Sequence, residues 1–411
     1  MGERVRAERV TKPRTPLRCS HRELNRAVLA RQHLIDRLPA GTKVTDAIAA
    51  IGPLQAQYSP SPFLAVLARV DGFTSGELRA ALDSHDVVKA SLMRGTLHVV
   101  GAEQYPMYAS MVDGPITRLW KTWLGKLLDV KPMQAALLDL TDPGPRTQQE
   151  VVDFCQSWAS DHFPPEAVWP PVGNWSFARC YPWLLRTAET TRLDTHKRDG
   201  YLAARTVHSD WSPPAHDGAL AEALRAYLGH FGPAGVDDIG KFLGESRVAP
   251  IRSALAALGD EIVPVLDQDG RAMVDLAAAP RPAGDLEVPV RLLPKFDSLT
   301  LAYTPANRGR TLPAAYYDDV IKTANGQVLA TVLVDGLVAG TWTVGATSST
   351  IEITVAPLGR WAKGVRAAVR DEAERIGAFL AAEDEERDVA VRFGQSEPRW
   401  AKHDRRRGGR R

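Results

Sequence analysis

Residues 217–276 read DGALAEALRAYLGHFGPAGVDDIGKFLGESRVAPIRSALAALGDEIVPVLDQDGRAMVDL, and the fold is decided there. Leu220, Leu224, Tyr227, Leu228 and Phe231 recur along one helix face, and Gly232-Pro233 ends that helix because proline lacks an N–H and clashes with the turn before it. Val236 to Leu243 predicts a short second helix closed by Gly244. Ser246 is placed to cap a third, whose apolar face is Ile251, Ala254, Leu255 and Leu258. Two β-rich runs follow, Glu261 to Leu266 and Arg271 to Leu276, joined by the turn Asp267-Gln268-Asp269-Gly270. Three helices and a hairpin make a winged helix, whose third helix can enter a DNA major groove.

Toward the N-terminus the pattern repeats. A helix is expected from His21 to about Leu38, a Thr45-capped helix to Ile51, and a Ser75-capped helix carrying Leu78, Ala81 and Leu82. Val87 to Met93 and Thr96 to Val100 flank Arg94-Gly95 and read as a second wing. In the middle third, Thr147-x-x-Glu150 is a capping box opening a helix through Trp158. A further helix is expected over Phe177 to Thr187, before a basic strand region from Arg192 to Tyr201. This segment reads as a further copy, so a tandem array is expected. From Val288 onward the chain turns β-rich, with Val290 to Leu293, Val328 to Val334, Leu337 to Val344 and Thr350 to Val355. The turn Val334-Asp335-Gly336-Leu337 and a helix from about Trp361 to Ala382 complete a small antiparallel, barrel-like domain. The fold class is therefore α+β. The expected divisions are a basic tail over 1–22, winged-helix units over 23–125, 126–215 and 216–284, the β-barrel-like domain over 285–397, and a basic tail over 398–411.

Length and composition agree with this division. A chain of 411 residues exceeds the size of one ordinary core, and 44% hydrophobic with 24% charged residues is typical of a soluble globular protein. Cys19, Cys155 and Cys180 are too scattered for a disulfide framework or a zinc pair, which fits a reducing cytoplasm. No apolar stretch reaches the ~20 residues needed to cross a bilayer, so no membrane partner is expected. The net charge of +2 conceals two basic ends, +5 over residues 1–22 and +6 over 398–411, on an acidic body. Such tails suit a polyanion, although solvated termini alone account for them equally well.

Several motifs carry no chemistry. Gly235-x-x-x-x-Gly240-Lys241 lacks the Ser or Thr of a phosphate-binding loop and lies between helices. Asp161, His162 and Glu166 lack metal-ligand spacing, and neither a metal nor a cofactor is expected. Trp169, Trp175, Trp183 and Trp211 read as core packing. The most unusual segment is Pro53-Leu-Gln55-Ala-Gln57-Tyr-Ser-Pro60-Ser-Pro62, where two glutamines one residue apart can point the same way from an extended, proline-held strand. Pattern alone favours a polar, proline-rich connection without function.

Leu54-Gln-Ala-Gln57 followed by Ser91-Leu-Met-Arg-Gly-Thr-Leu-His-Val-Val100 closely resembles the AlkZ-type winged-helix DNA glycosylases, which unhook DNA interstrand crosslinks. Tyr227 to Gly244, Arg291-Leu-Leu-Pro-Lys-Phe-Asp297 and Val332-Leu-Val-Asp-Gly-Leu-Val-Ala-Gly-Thr-Trp342 extend the resemblance over most of the chain. It implies tandem winged helices with a C-terminal β-barrel in a C-shaped clamp, and catalytic roles for Gln55 and Gln57. The related YcaQ type carries Asp at the second position, so Gln57 places this chain with the AlkZ type. The resemblance further implies DNA contacts from Arg94, Thr96 and His98 in the first wing, with His98 equally readable as a strand residue whose ring is satisfied, and from Arg308 and Arg310 in a basic hairpin over Tyr303 to Leu312. There Thr304-Pro305-Ala306 departs from the family's acidic residue and arginine after the tyrosine.

Two amides cannot take up a proton at neutral pH, so they cannot act as general bases. They can hold a water through their carbonyl oxygens and stabilise positive charge on the deoxyribose. Such help suffices where the leaving group is already good, as for a guanine made cationic by alkylation at N7. The expected activity is therefore metal-free hydrolysis of the N-glycosidic bond of bulky N7-alkylguanine, crosslinks included, leaving an abasic site. The expected protein is a cytoplasmic, nucleoid-associated monomer whose partner is double-stranded DNA carrying these adducts. The competing reading is a non-catalytic winged-helix regulator or repair scaffold, for which a Gln-x-Gln pair has no evident purpose.

Overall fold

The computed structural model describes residues 15–124, 129–163, 179–193, 200–207, 214–324, 326–347, 349–382 and 387–394. Most of both basic tails, together with Trp169, Trp175, Trp211, Glu166 and much of the acidic run 383–388, lies outside the described residues. The chain is α+β. Strand β1 (Leu17–Cys19) leads into α1 (His21–Arg31), capped by Ser20 with Glu23 in a capping box. Helix α1 stops well short of Leu38 because His33 takes a left-handed conformation (φ 50°) and Leu34 N–H turns back to the Leu29 carbonyl. Then come α2 (Val44–Ile51), β2 (Leu54–Gln55), α3 (Ser61–Leu67), α4 (Ser75–Asp83), β3 (Val87–Ser91) and β4 (Leu97–Gly101). The expected caps shift by a residue or vanish: Lys43 precedes α2 without a side-chain cap, and Thr74 with Glu77 forms the box that opens α4.

Helices α5 (Tyr105–Leu124), α6 (Lys131–Thr141) and α7 (Gln148–His162) follow, and α7 starts in the expected box of Thr147 and Glu150. The helix expected to reach Thr187 is not formed at its end. Pro182 cannot donate to a helical ladder, and Leu184–Arg186 becomes β5, paired with β6 (Tyr201–Ala203) and with β3. Sheet order β2-β4-β3-β5-β6 thus joins the expected first wing to strands of the middle segment.

After the short α8 (Ala204–Val207), α9 (His216–Phe231), α10 (Val236–Leu243), α11 (Val248–Leu258), β7 (Ile262–Asp267) and β8 (Ala272–Leu276) appear in the order that residues 217–276 predict. Ser246 does not cap α11; Arg247 precedes it, and the Glu245 carboxylate takes the Arg247 backbone N–H. Strand β1 adds to this hairpin in parallel, Cys19 opposite Asp267.

The C-terminal region contains β9 (Arg291–Leu293), α12 (Ser298–Leu301), α13 (Tyr317–Val320), β10 (Ile321–Lys322), β11 (Gln327–Val328), β12 (Thr331–Val334), β13 (Leu337–Ala346), β14 (Thr350–Pro357), α14 (Val365–Ala381) and β15 (Asp388–Phe393). The expected barrel is not closed among the described residues: the sheet is open, in the order β15-β14-β13-β12-β9, with β15 parallel to β14. Helix α14 buries Val369, Ala373 and Ile376 on it.

Buried ion pairs join the regions. Arg31 forks onto Asp275 at 2.7 and 2.9 Å, and Arg69 onto Asp297 at 2.9 and 2.8 Å. Asn25 donates to the carbonyls of Arg310 and Gly336, and Arg22 and Arg26 reach Asp335 in the β12–β13 turn. Removing one partner of a desolvated pair strands the other charge. Asp297→Ala is therefore expected to lose about 3–5 kcal/mol of unfolding free energy, and the double change Arg69→Met/Asp297→Leu to recover most of it, as read by chemical denaturation.

Candidate active site

The Gln-x-Gln segment owes its shape to its entry and to its backing. Gly52 enters it at φ 88°, a conformation that favours glycine, and an added Cβ would meet His230 Nδ1 at 2.7 Å. That imidazole is buried, its Nε2 donates to the Ala49 carbonyl at 2.9 Å, and burial lowers its pKa to about 4. Leu54 and Gln55 then pair with Val99 and His98 on β4, and Ala56 N–H continues to the Leu97 carbonyl. Two serines pin the segment from the C-terminal region. Ser298 Oγ donates to the Pro53 carbonyl (2.6 Å), and Ser61 Oγ donates to the Lys295 carbonyl (2.7 Å). Asp297, between Lys295 and Ser298, is held by Arg69, which also donates to Gln32 Oε1; Gln32 in turn donates to the Ile51 carbonyl. A narrow recess beside Gln55 is lined by Ser61, Arg69, Lys295 and Asp297.

Gln55 is largely buried and Gln57 is exposed. Each has its oxygen tied to a group that can only donate: Gln55 Oε1 accepts from Arg94 at 3.2 Å, and Gln57 Oε1 from Leu97 N–H at 3.3 Å. Since neither donor can accept, the atom facing each must be the amide oxygen, and both side-chain orientations follow from chemistry. Tyr58, next in sequence, lies under the Lys295 ammonium at 5.1 Å. Ser59 donates to the Thr190 carbonyl at 3.2 Å, which also accepts from buried Lys89 at 2.7 Å. Desolvation, then Arg186, pull the Lys89 pKa down to about 7.

The other residues marked by sequence divide sharply. Arg94 joins the pair: its backbone is left-handed (φ 60°), and its partly buried guanidinium bridges Gln55 and the Phe242 carbonyl. Thr96 closes the tight turn by donating to the Met93 carbonyl. His98 lies on β4 opposite Gln55 but is buried; Nδ1 donates to the Thr96 carbonyl at 2.9 Å, and Nε2 is buried without a partner. Desolvation and then the nearby Arg94 charge lower its pKa to about 3, so the ring is neutral near pH 7.

Arg308 and Arg310 are not brought to the pair as outward cations. Arg308 donates to Tyr317 Oη and the Tyr303 carbonyl, and Arg310 to the Pro233 carbonyl while lying over the Tyr303 ring at 4.2 Å. Residues 303–312 form helical turns instead of the expected hairpin. Buried Asp238 on α10 holds them there, accepting from Thr304 N–H and Oγ1 and from Asn307 Nδ2. The departure at Thr304 thus has a structural counterpart, a hydroxyl where this clamp needs a donor.

Sequence reasoning missed Ser61, Arg69, Asp297 and Ser298, because their purpose appears only when two segments far apart in sequence meet. It also passed over Lys241, set aside with the false phosphate loop: this exposed lysine has its pKa lowered by desolvation and by Arg308 and Arg94. Among the described residues, the group with metal-ligand chemistry is His21, Asp267 and Asp269. There Asp267 Oδ1 is occupied by backbone N–H groups of its own turn, and His21 Nε2 lies 3.1 Å from the Asp269 carboxylate and 3.8 Å from that of Asp267.

Comparison with known proteins places the chain in a family. Residues 48–379 match the family described as DNA glycosylase AlkZ-like, a span that includes Gln55, Gln57 and the backing segment 295–298. Over 152 residues the chain is 28% identical to an interstrand DNA cross-link repair glycosylase of Streptomyces sahachiroi, a stretch covering 35% of this chain and 39% of that protein. The fold is similar to that of Streptomyces sahachiroi DNA glycosylase AlkZ, with a TM-score of 0.70 over 92% of this chain and 100% of that one, at 21% identity. No described helix is long and apolar enough to cross a membrane. The match over 48–379, running through both the glutamine pair and the segment that holds it, makes this chain a member of the AlkZ-like DNA glycosylase family.

Proposed function

We propose that this chain is a DNA glycosylase that hydrolyses the N-glycosidic bond of bulky N7-alkylguanine in double-stranded DNA, unhooking crosslinks and leaving an abasic site. Tandem winged-helix units supply the DNA-binding framework: the helix, helix, helix, hairpin order of α9, α10, α11 and β7–β8 supports this for residues 216–276. One observation carries the reading. Gln55 on the edge strand β2 and Gln57 just beyond it lie in a segment held by Ser61 and Ser298, each with its oxygen fixed by an internal donor.

A fixed amide costs little reorganisation as charge develops, which is what electrostatic catalysis requires. Gln57 is the exposed member. Its oxygen spends one lone pair on Leu97 N–H and keeps the other for a water aimed at the sugar C1′. As the C1′–N9 bond breaks, its electron pair stays with the purine and quenches the N7 cation. Water oxygen then bonds to C1′ and its proton passes to solvent. A neutral His98 cannot supply acid, and a cationic leaving group needs none.

DNA contact falls to other cations than Arg308 and Arg310, whose guanidinium groups are engaged inside the protein. Lys241, exposed on α10 beside the fields of Arg94 and Arg308, is the first candidate.

The test is base release from duplex DNA bearing a defined N7-alkylguanine monoadduct or crosslink, with binding measured in parallel. Wild type should generate alkali-labile sites. Gln55→Ala and Gln57→Ala should each slow single-turnover release by about a hundredfold while binding persists. Binding without release on any adduct would leave a regulator or scaffold as the function.

The pH profile gives a second check. His98 has a folded pKa of about 3, below its value of ~6.5 in an unfolded chain, so the native state excludes a proton that the unfolded state accepts. Stability from this group is complete above pH ~6.5 and is lost as pH falls toward its folded pKa. Base release should show no step near pH ~6.5, whereas denaturant midpoints should fall between pH ~6.5 and ~4. A step in the release rate at ~6.5 that disappears in His98→Asn would give the ring a catalytic titration instead.

A further inference from the structure

Arg94 has the features of a phosphate ligand by sequence, yet its geometry is that of an internal brace. Its Nη1 donates to the Phe242 carbonyl at 2.5 Å, its guanidinium carbon lies 5.1 Å from the Phe242 ring centroid, and Nη2 donates to Gln55 Oε1. The backbone beneath is equally constrained. Arg94 and Gly95 both take positive φ, and a Cβ on Gly244 would meet Arg94 N at 2.9 Å, so the end of α10 packs directly on this turn. No carboxylate among the described residues lies in salt-bridge range of Arg94, and its charge is therefore directed at Gln55 and at a backbone carbonyl.

A guanidinium hydrogen bond on an amide oxygen draws electron density from the amide. The oxygen becomes a poorer acceptor and the N–H groups better donors. The hydrogen bond that Gln55 makes through its side chain among the described residues uses Oε1, which leaves its Nε2 hydrogens as the end still able to donate. The two glutamines are thus not equivalent: Leu97 N–H, a neutral donor, leaves Gln57 oxygen a fair acceptor, whereas Arg94 makes Gln55 a donor.

We propose that Arg94 is a positioning residue that fixes Gln55 with its oxygen inward, so that Gln55 donates hydrogen bonds to an acceptor of the departing purine and leaves the water to Gln57. The assignment rests on the glycosylase reading above and deepens it. When the C1′–N9 bond breaks, its electron pair moves into the purine, and the acceptor atoms N3 and O6 gain electron density. A fixed N–H donor at either atom strengthens as the bond lengthens, the condition for lowering a barrier instead of merely binding substrate. The guanidinium, drawn to a pKa of about 10 by desolvation, remains charged throughout the working pH range.

The experiment is a double-mutant cycle of Arg94→Met and Gln55→Ala on an N7-alkylguanine duplex, with single-turnover release, dissociation constant and salt dependence of binding measured for each protein. Arg94→Met should slow release by roughly 10–100-fold, as losing an outer-layer contact to a catalytic group does. In the Gln55→Ala background it should add less than about twofold. The salt slope of binding should be unchanged, whereas a lost phosphate contact lowers it by about 1. Gln55→Glu, which still accepts from Arg94 but has no N–H to offer, should be as slow as Gln55→Ala.

Effects that multiply, a reduced salt slope, or a Gln55→Glu protein that keeps wild-type rate would each overturn the proposal while leaving the glycosylase standing. No release by wild type on any adduct removes the glycosylase reading and this proposal with it. Because Arg94 is packed against α10, Arg94→Lys serves as the second variant: one ammonium can brace Phe242 or Gln55 but not both as the fork does. It should fold with a wild-type melting profile and lie between wild type and Arg94→Met in rate.

Discussion

The site depends on a buried ion pair behind it. Arg69, at the end of α3, and Asp297, just before α12, meet fork to fork with both side chains almost wholly removed from water. Desolvating two ions is costly, and such a pair is seldom a net source of stability compared with an apolar substitute. What it supplies is register. Asp297 is flanked by Lys295, whose carbonyl takes Ser61, and by Ser298, which reaches the Pro53 carbonyl. Fixing Asp297 on Arg69 thereby fixes both ends of the glutamine segment from behind. An apolar pair would pack equally well while allowing the segment to slide, and catalysis by preorganised amides tolerates little sliding.

The same preference for inward cations runs through the chain. Arg31, Arg69, Arg94, Arg308 and Arg310 all end on buried carboxylates, carbonyls or rings. A basic count is therefore a poor guide to where DNA lies. With these five guanidinium groups engaged inside the protein, exposed cations such as Lys241 are left as candidates for contact with a polyanion. The nine-residue run from Pro53 to Ser61 holds no charged residue, which suits the proposed admission of a cationic base.

How much of this was legible in the sequence follows from the range of the forces. Three helices and a hairpin over 217–276 follow from apolar spacing with Gly232, Pro233 and Gly244 as stops, all local signals, and they appear where expected. The capping box at Thr147 is equally local. Long-range decisions were not legible: β5 forms because Leu184–Arg186 finds β3 and β6, and α1 ends early at a left-handed His33. The barrel became an open sheet because β15 adds in parallel at its far edge, a choice that strand alternation cannot encode. Gln55 and Gln57 were visible as an oddity, but Arg94 and Thr96 read as DNA-facing residues of a wing, and His98 read equally as that or as a strand residue with a satisfied ring. All three instead turn inward at a tight turn whose geometry only the pairing of β3 and β4 sets.

The use of amides in place of carboxylates is consistent with this inward arrangement. A carboxylate at position 55 would meet Arg94 as an ion pair, and its charge would be largely neutralised before substrate arrived. It would also repel the phosphates of the duplex. An amide avoids both consequences. It accepts the guanidinium on one side, keeps donors on the other, and stays neutral whatever the pH, so it adds no charge of its own beside the phosphates of a duplex. On the function proposed above, the chemistry would be limited by what alkylation has already done to the glycosidic bond, because the departure of an undamaged guanine needs a proton that neither a neutral His98 nor a glutamine can give.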